Sequence, residues 1–327
     1  MPIGRDDTGR RKDRFRGALL GTLVGDALGM PVEGWPGERI RRELGEVREM
    51  LPARRGAGTF TDDTQMTAAL ARALLEMADP AHPDPDVIAR HFGASFDPGR
   101  GYGGNTARIL AELRDGQGWQ DVVERHRLPG GSFANGAAMR VAPVALAAFP
   151  DPALATRLAE VQTAPTGHDH PEARFGARLQ AVAVLESLVR GTGEPPPEVP
   201  DLQEVALDGW EGKAPGAFAE ALAWVHRNRR TPLQEAAQAL RPDVRAGTSV
   251  PAALWAFLSF PDDPEEAVVA AVGLGGDTDT VGAMAGALVG ARNGASAFPT
   301  RWLDALEDGP DGRTGLIELA DRLHARV

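Results

Sequence analysis

The chain has 327 residues, of which 43% are hydrophobic and 25% are charged, a composition typical of a globular protein with a large core. The formal net charge of −11 argues against a general nucleic-acid-binding surface. Because the sequence contains no cysteine, it excludes disulfides, thiolate catalysis, zinc–thiolate sites and iron–sulfur clusters, and it fits a reducing compartment.

The N-terminal segment places several basic residues before a short apolar run. The basic residues lie between Arg5 and Arg16, and the apolar run covers residues 18–24, in the order found in signal peptides. The run is brief and Asp26 interrupts it, so we expect a cytoplasmic protein rather than an exported one. No uncharged apolar stretch is long enough to span a bilayer, and we expect no membrane partner.

Ala-rich and Leu-rich segments with helical spacing follow one another along the chain, whereas alternating β-branched runs are almost absent. The predicted helices cover residues 15–28, 64–77, 105–114, 137–148, 152–162, 172–190, 217–229, 233–240, 250–259, 264–272, 280–292 and 300–306. This pattern predicts an all-α fold, a compact multi-helix orthogonal bundle. We expect a flexible tail over residues 1–13 and a single domain over residues 14–327. Gly17, Gly21 and Gly25 recur at every fourth position and predict close approach of a neighbouring helix.

The first acidic cluster, Thr61-Asp62-Asp63-Thr64, stands at the start of a predicted helix. Thr61 is a natural N-cap, and acidic side chains in the first turn complement the helix dipole, so a purely structural role explains the cluster. The functional alternative is that one hydroxyl and two carboxylates project from the helix end, where they form a set of oxygen ligands for a hard cation.

The second acidic cluster is Asp277-Thr278-Asp279-Thr280, which follows a glycine pair. If the helix begins there, Asp277 and Thr280 share a face, and Asp279 leans toward the same opening. The helix behind the cluster is small and apolar, which predicts a central, buried position. Acidic residues at a buried helix start are costly without a partner, so capping alone explains this cluster less well. Together the two clusters favour a binuclear metal site with shared carboxylates.

Two Gly-rich loops, over residues 101–106 and 130–136, each precede a further predicted helix. Backbone N–H groups at such helix starts suit phosphate oxygens, although neither loop matches a Walker A or dinucleotide motif. Tyr102 and Phe133 offer aromatic faces for a purine, or they fill the core. A third Gly-rich segment carries Glu33, whose simplest interpretation is an exposed surface residue.

The only close pair of histidines is His168 and His170. Zinc binding would need a third ligand that the local sequence does not offer. We therefore expect His168 to form hydrogen bonds or to pack against a ligand.

Several of these motifs occur in the order that is characteristic of one enzyme family. They are Gly21-x-x-x-Gly25-Asp26-Ala27-x-Gly29-x-Pro31-x-Glu33, Phe60-Thr61-Asp62-Asp63-Thr64, Gly103-x-x-Thr106, Asn135-Gly136-Ala137-Ala138-Met139-Arg140, Thr166-x-His168 and Gly275-Gly276-Asp277-Thr278-Asp279-Thr280. The set resembles the ADP-ribosylglycohydrolase family over residues 15–305. The resemblance implies an all-α catalytic domain that holds two Mg²⁺ or Mn²⁺ ions. It also implies an ADP-ribosylated protein or ADP-ribose as the partner, with hydrolysis of the glycosidic bond and release of ADP-ribose.

The resemblance also assigns roles to individual residues. The implied metal ligands are Thr61, Asp62, Asp63, Asp277, Asp279 and Thr280, with Asp279 as the bridging carboxylate. Glu33 matches a mobile acidic residue near the metals, and either Glu33 or Asp62 is the expected catalytic base. The implied ligand-binding residues are Gly101, Tyr102, Gly103, Gly104, Ser132, Phe133, Asn135, Gly136 and His168.

Two departures from the family pattern bear on the substrate. Ala134 stands where many members carry glycine, and Tyr102 stands where some members carry an acid. The second departure argues against a mechanism that needs a carboxylate in that loop, as proposed for arginine-linked substrates. Three activities remain open: hydrolysis of ADP-ribose from an arginine or serine side chain, hydrolysis of a 1″-phosphate or 1″-acetyl ester of free ADP-ribose, and binding of ADP-ribose without catalysis.

Overall fold

The computed structural model describes residues 5–211 and 213–327, and within these ranges the chain forms eighteen α-helices, short 3₁₀ turns and no β-strand. The helices are α1 (Arg5–Gly29), α2 (Gly37–Leu44), α3 (Asp62–Glu76), α4 (Pro85–Ser95), α5 (Gly104–Arg114), α6 (Trp119–Arg125), α7 (Gly136–Met139), α8 (Ala142–Ala148), α9 (Pro152–Val161), α10 (Pro171–Arg190), α11 (Val199–Leu207), α12 (Gly216–Arg227), α13 (Leu233–Leu240), α14 (Ala246–Ser259), α15 (Pro264–Gly273), α16 (Thr278–Asn293), α17 (Thr300–Ala305) and α18 (Arg313–His324). The predicted all-α class is confirmed. Among the described helices, none is both long and apolar enough to cross a bilayer.

Helices α1 and α16 form the centre of the bundle and pack backbone to backbone. A Cβ atom added at Gly21 would lie 2.0 Å from the carbonyl oxygen of Gly286, and one added at Gly25 would lie 1.9 Å from that of Gly282. No real Cβ tolerates such distances, so glycine is required on both helices for this approach. The close approach that the glycine spacing predicts is therefore present, and it fixes the start of α16 against the end of α1.

The predicted helix over residues 137–148 is divided into α7 and α8 around Arg140 and Val141. The Arg140 side chain is fully buried and donates hydrogen bonds to the Gln162 side chain, at 2.6 Å, and to Thr166 Oγ, at 2.8 Å. The sequence prediction also missed α2, α4, α6, α11 and α18. These five helices are mostly short and rich in charged or polar residues, so their apolar faces are narrow.

The N-terminal helix starts at Arg5, so that residues 5–13 of the expected tail are helical. The Asp13 carboxylate accepts a 2.6 Å hydrogen bond from Ser296 Oγ, and both Lys12 and Arg16 form ion pairs with Asp321. These contacts hold residues 12–16 of α1 against helix α18 and against the turn that contains Ser296. Residues 1–4 of the expected tail lie outside the described residues.

Four helices present their N-terminal ends to one opening in the bundle. They are α3, α5, α7 and α16, whose N-cap residues Thr61, Gly103, Asn135 and Asp277 all line the same pocket. Helix N-termini carry unpaired N–H groups and partial positive charge, which favour negatively charged or oxygen-rich groups in the space between them.

Candidate metal centre and ligand pocket

The pocket between the four helix ends has a volume of about 180 Å³ and an acidic floor. Its carboxylates are those of Glu33, Asp62, Asp63, Asp277 and Asp279. The other lining residues are Thr61, Met66, Gly101, Gly103, Thr106, Ala134, Asn135, Gly136, Met139, Arg140, His168, Val244 and Thr280. Two acidic clusters that lie far apart in the sequence thus meet in one cavity.

The first cluster is built on the start of α3, as predicted. Thr61 is the N-cap, and its Oγ accepts a 3.3 Å hydrogen bond from the Asp63 backbone N–H. The same hydroxyl donates to Asp63 Oδ2 at 3.0 Å. The other oxygen of Asp63, Oδ1, is buried and has no hydrogen-bond partner among the described residues. Capping therefore accounts for Thr61 but leaves half of the Asp63 carboxylate unexplained.

The second cluster lies across the pocket at the start of α16. Asp277 is the N-cap residue, yet its side chain accepts no capping hydrogen bond from the described backbone. Thr280 Oγ lies 3.5 Å from Asp63 Oδ2, which brings the two clusters into contact. Carboxylate oxygens of Glu33, Asp277 and Asp279 lie within 4.8 Å of one another, close enough to share a cation.

Glu33 reaches the cluster from the segment that connects α1 to α2. The neighbouring Gly34 N–H donates to the Gly276 carbonyl at 2.8 Å, and the Gly276 N–H donates to the Trp35 carbonyl at 2.8 Å. Both Gly276 and Gly275 have positive φ, and a Cβ on Gly276 would lie 1.9 Å from the Pro242 carbonyl oxygen. The Glu33 segment, which the sequence leaves as an independent loop, is thus joined to the turn that carries the second cluster.

Burial and mutual repulsion favour the protonated forms of these carboxyl groups when no cation is bound. Burial, with the negative charges of Asp26 and Asp277, raises the pKa of Asp62 to about 8. The pKa values of Asp63 and Asp279 are also raised well above their ordinary range, by burial first and then by neighbouring carboxylates. Glu33 is exposed at the mouth, but partial shielding of its carboxyl group and repulsion from Asp277 raise its pKa too.

The donor set fits hard divalent cations. Every candidate ligand atom is a carboxylate or hydroxyl oxygen, the type that Mg²⁺ and Mn²⁺ prefer. None of the ion pairs identified among the described side chains involves any of the five pocket carboxylates. Cations in the pocket would satisfy the unpartnered Asp63 Oδ1 and relieve the repulsion that raises the pKa values.

Only part of the loop over residues 101–104 lines the pocket. Gly101 and Gly103 line the cavity, whereas Gly104 and Tyr102 do not. The Tyr102 hydroxyl donates a 2.8 Å hydrogen bond to Gln65 Oε1, and its ring packs edge-on against Phe96 with centroids 5.0 Å apart. Tyr102 therefore ties the loop to helix α3 behind the acidic cluster.

The loop over residues 132–136 also lines the pocket with only some of its residues. Asn135 and Gly136 line the pocket, and Ser132 and Phe133 lie outside its lining. The Phe133 side chain is 44% exposed, with the Arg245 guanidinium 5.2 Å from its ring centroid. An exposed aromatic ring next to a pocket-lining residue is available to stack on a ligand that extends out of the cavity.

His168 lines the pocket and is buried, with only 3% of its surface exposed. Its Nδ1 pairs with Thr166 Oγ at 2.8 Å. Burial, together with the positive charge of Arg140, lowers the pKa of His168 to about 3, so the ring is neutral at physiological pH. His170 is the N-cap of α10 and accepts a hydrogen bond from the Glu172 N–H, so the two histidines have separate structural settings.

Sequence reasoning assigned no role to Asp26 and a different one to Asn135. The Asn135 side-chain amide donates to Asp277 Oδ2 at 2.6 Å, so the loop expected to hold phosphate also orients a carboxylate of the second cluster. Asp26 is fully buried under the first cluster and accepts hydrogen bonds from Thr61 and Thr64. The Gly-Asp-Ala motif around Asp26 was the available signal, but its sequence does not reveal the partner.

Comparisons with known proteins identify relatives in sequence and in fold. Residues 7–327 match the ADP-ribosylglycohydrolase family. An uncharacterized protein of Archaeoglobus fulgidus is 33% identical over 320 residues, covering 96% of both chains. The human ADP-ribosylhydrolase ARH3 is 31% identical over 338 residues, covering 91% of this chain and 90% of the relative. A solved structure described as an ADP-ribosylglycohydrolase-related protein complex is 31% identical with a TM-score of 0.71, covering 97% of this chain and 99% of the other.

The fold and the matched sequence define the class of protein. The chain belongs to the ADP-ribosylglycohydrolase family, which confirms the resemblance found in the sequence motifs. It is accordingly a hydrolase.

Proposed function

We propose that this protein is a metal-dependent hydrolase that cleaves the glycosidic bond between ADP-ribose and a protein side chain and releases ADP-ribose. Oxygen ligands from both acidic clusters would hold two divalent ions, Mg²⁺ or Mn²⁺. The proposed ligands are Thr61, Asp62, Asp63, Asp277, Asp279 and Thr280. The observation that carries the proposal is the meeting of the clusters in one pocket, with the buried Asp63 Oδ1 unpartnered within the described chain.

Bound divalent ions would supply Lewis acidity toward the ribose hydroxyl groups and would lower the pKa of a coordinated water. The oxygen donors of the clusters determine how a ribose enters, because its hydroxyl groups must approach the floor of the pocket. Asp279 lies on the first turn of α16, close to both Glu33 and Asp277. The charges of both Asp63, from the first cluster, and Asp277, from the second, act on the Asp279 carboxyl group, which supports the assignment of Asp279 as the carboxylate that would be shared by the two ions.

The chain also offers a proton acceptor for the attack of water on ribose C1″. Both Glu33, which is exposed, and Asp62, which is half-buried, line the pocket, and both carboxyl groups have raised pKa values. A carboxyl group must be ionised to accept a proton, and bound cations would keep these groups ionised because they offset the repulsion that raises their pKa values. We assign the proton transfer to the carboxylate oxygens of one of these two residues. The bond between C1″ and the departing side chain breaks as the water oxygen bonds to C1″, and the protonated carboxyl group returns its proton to the departing oxygen, which leaves through the mouth of the pocket, past Glu33.

The rest of ADP-ribose is proposed to lie along the Gly-rich loops. Backbone N–H groups at the start of α5 and α7, next to Gly101, Gly103 and Gly136, suit the phosphate oxygens. Ser132, Tyr102 and Gly104 complete these loops, and the exposed ring of Phe133 suits the adenine.

The side-chain linkage is proposed to be to serine in preference to arginine. The loop over residues 101–104 contributes no carboxylate, and its Tyr102 hydroxyl is already bonded to Gln65. A mechanism that protonates or orients a guanidinium from this loop lacks the necessary group. We also propose that the enzyme is cytoplasmic, because a chain without cysteine can form no disulfide in an oxidising compartment.

A panel of substrates tests the proposal. Purified protein is incubated with Mg²⁺ and peptides that carry ADP-ribosyl-serine or ADP-ribosyl-arginine, and with 1″-phospho-ADP-ribose and 1″-acetyl-ADP-ribose. We expect release of ADP-ribose from the serine-linked peptide at the highest kcat/KM. Faster hydrolysis of a 1″-ester would assign the other hydrolase activity. Tight binding of ADP-ribose without hydrolysis of any of the four substrates would show that the protein binds ADP-ribose without catalysis.

A further inference from the structure

A buried carboxylate outside the pocket holds the first acidic cluster in place. Asp26 lies on α1 with none of its surface exposed, and it is not a lining residue of the cavity. Its Oδ2 accepts hydrogen bonds from the Thr64 hydroxyl at 2.6 Å and from the Thr64 N–H at 3.1 Å. Both of its oxygens lie 3.0 Å from the Thr61 backbone nitrogen.

These contacts reproduce a capping box with a residue from another helix. In a capping box, the side chain at the third helical position reaches back to the backbone N–H of the N-cap residue. Here Thr61 is the N-cap and Thr64 occupies that third position, but Thr64 has no carboxylate. The Asp26 carboxylate accepts hydrogen bonds from the backbone N–H groups of both residues instead. The four-residue segment that carries Asp62 and Asp63 is thereby fixed at its two ends to one carboxylate.

The position of α1 makes this anchor rigid. Three residues after Asp26, the Gly29 carbonyl accepts a 2.8 Å hydrogen bond from Thr278 Oγ, at the start of the second cluster. A Cβ on Gly29 would lie 2.2 Å from the Thr278 carbonyl oxygen, so the two backbones are in direct contact. The same turn of α1 therefore holds the first cluster through Asp26 and the second through Gly29.

We propose that Asp26 is a positioning residue for the metal centre, one that sets the geometry of Thr61, Asp62 and Asp63 without binding the metals itself. This inference rests on the proposed function, because it assigns Asp26 a role toward the ions of that site. Residues that orient metal ligands from behind are required for tight binding, and their loss costs about 10–100-fold in metal affinity.

The experiment compares Asp26→Asn and Asp26→Ala with two controls from the same helix. Asp26→Asn keeps the volume and one acceptor oxygen but removes the charge, whereas Asp26→Ala removes every acceptor. Thr22→Val deletes a buried hydroxyl that donates only to the Ala18 carbonyl, one turn earlier. Leu23→Ala opens a cavity at another fully buried position and controls for loss of stability alone.

Two quantities are measured for each variant: the dissociation constant for Mn²⁺, and amide hydrogen exchange over residues 61–64 in metal-free protein. We expect both Asp26 variants to bind Mn²⁺ about 10–100-fold more weakly, with faster exchange at Thr61 and Thr64. Thr22→Val and Leu23→Ala are expected to bind Mn²⁺ with native affinity.

Three results would overturn the inference. The first is native Mn²⁺ affinity and native exchange in either Asp26 variant. The second is an equal loss of affinity in Leu23→Ala at a matched melting temperature, which would make the effect one of general stability. The third is a wild-type protein that binds no Mn²⁺, because the proposed metal site then fails; unchanged exchange over residues 61–64 in the Asp26 variants would in that case also remove the positioning role of Asp26. If Asp26→Ala does not fold, the comparison is made with Asp26→Asn alone.

Discussion

The Asn135 side-chain amide donates a 2.6 Å hydrogen bond to Asp277 Oδ2, across 142 residues of sequence. The same amide nitrogen lies 3.1 Å from Ser249 Oγ, so Asn135 is held between helix α14 and the second acidic cluster. The loop that precedes α7 and the start of α16 are therefore coupled through one side chain. Any ligand that moves this loop also acts on a proposed metal ligand.

Replacing Asn135 with alanine is expected to weaken metal binding. Asp277 would lose its only side-chain amide donor among the described contacts, and the carboxylate would no longer be held toward the pocket. We predict a loss in Mn²⁺ affinity of about 10–100-fold, measured by calorimetric titration. Ser249→Ala removes the other partner of the same amide and is the matched control, with affinity close to native. Equal affinity in wild type and Asn135→Ala would show that the contact does not orient a ligand.

The stability of the metal-free protein is expected to fall as the pH rises. Burial raises the pKa of Asp62 from 3.8 to about 8, and Asp63 and Asp279 shift in the same direction. The folded state then holds protons that the unfolded state releases, so this stabilisation is full below pH 4 and is lost toward pH 8. Between pH 5 and pH 8, we predict a decrease of at least about 1.4 kcal/mol in the unfolding free energy in EDTA.

Denaturant titrations at several pH values measure this dependence, and excess Mg²⁺ is expected to suppress it because the cations replace the protons. Asp63→Asn serves as the matched variant. It removes a buried charge, so the metal-free variant is expected to be more stable than wild type at pH 8 and to gain less from Mg²⁺. A stability that rises with pH in EDTA would contradict the electrostatic description of the pocket.

Glu33→Gln is expected to separate catalysis from folding. The residue is exposed at the mouth and forms no salt bridge with the described residues, so the unfolding free energy should change by no more than about 0.5 kcal/mol. If Glu33 accepts the proton from water, kcat falls by about 10²–10⁴-fold with a small change in KM. Steady-state kinetics on an ADP-ribosylated peptide measures both constants. A kcat within a factor of three of wild type would instead leave Asp62 as the base.

Gly21→Ala is expected to destabilise the whole bundle. The new Cβ would lie 2.0 Å from the Gly286 carbonyl oxygen. Because this oxygen belongs to the backbone of α16, the two helices would have to move apart to make room. Overpacking of this kind costs about 1–3 kcal/mol or more. Gly9→Ala, in the same helix, meets no atom within 4 Å and is expected to be neutral or slightly stabilising. Thermal unfolding of the two variants provides the comparison, and equal melting temperatures would show that α1 and α16 do not need glycine.

Much of the fold was predictable because its longest helices carry strong local signals. Thr61 with two acidic residues marks the start of α3, and the repeated glycines of α1 indicate a close partner. The identity of that partner was not predictable, since the glycines of α16 lie more than two hundred positions away. The break between α7 and α8 also escaped prediction, because it depends on the tertiary partners of Arg140.

The site was predictable at the level of residue type but not at the level of contacts. Oxygen-rich clusters at two helix starts indicate a cation, and the order of the motifs indicates that the clusters belong together. The sequence does not show that Asn135 contacts Asp277, or that the Glu33 segment bonds to Gly276. Both contacts join segments that are distant along the chain, so neither leaves a local pattern.

The central claim is that hydrolysis depends on cations held between the two acidic clusters. The most direct measurement is the rate of ADP-ribose release from an ADP-ribosylated protein, for wild type and Asp279→Ala, each in Mg²⁺ and in EDTA. The proposal predicts release by wild type in Mg²⁺, loss of that activity in EDTA with recovery on adding Mg²⁺, and no activity above background for Asp279→Ala in either condition. Undiminished, EDTA-insensitive release by Asp279→Ala would contradict it.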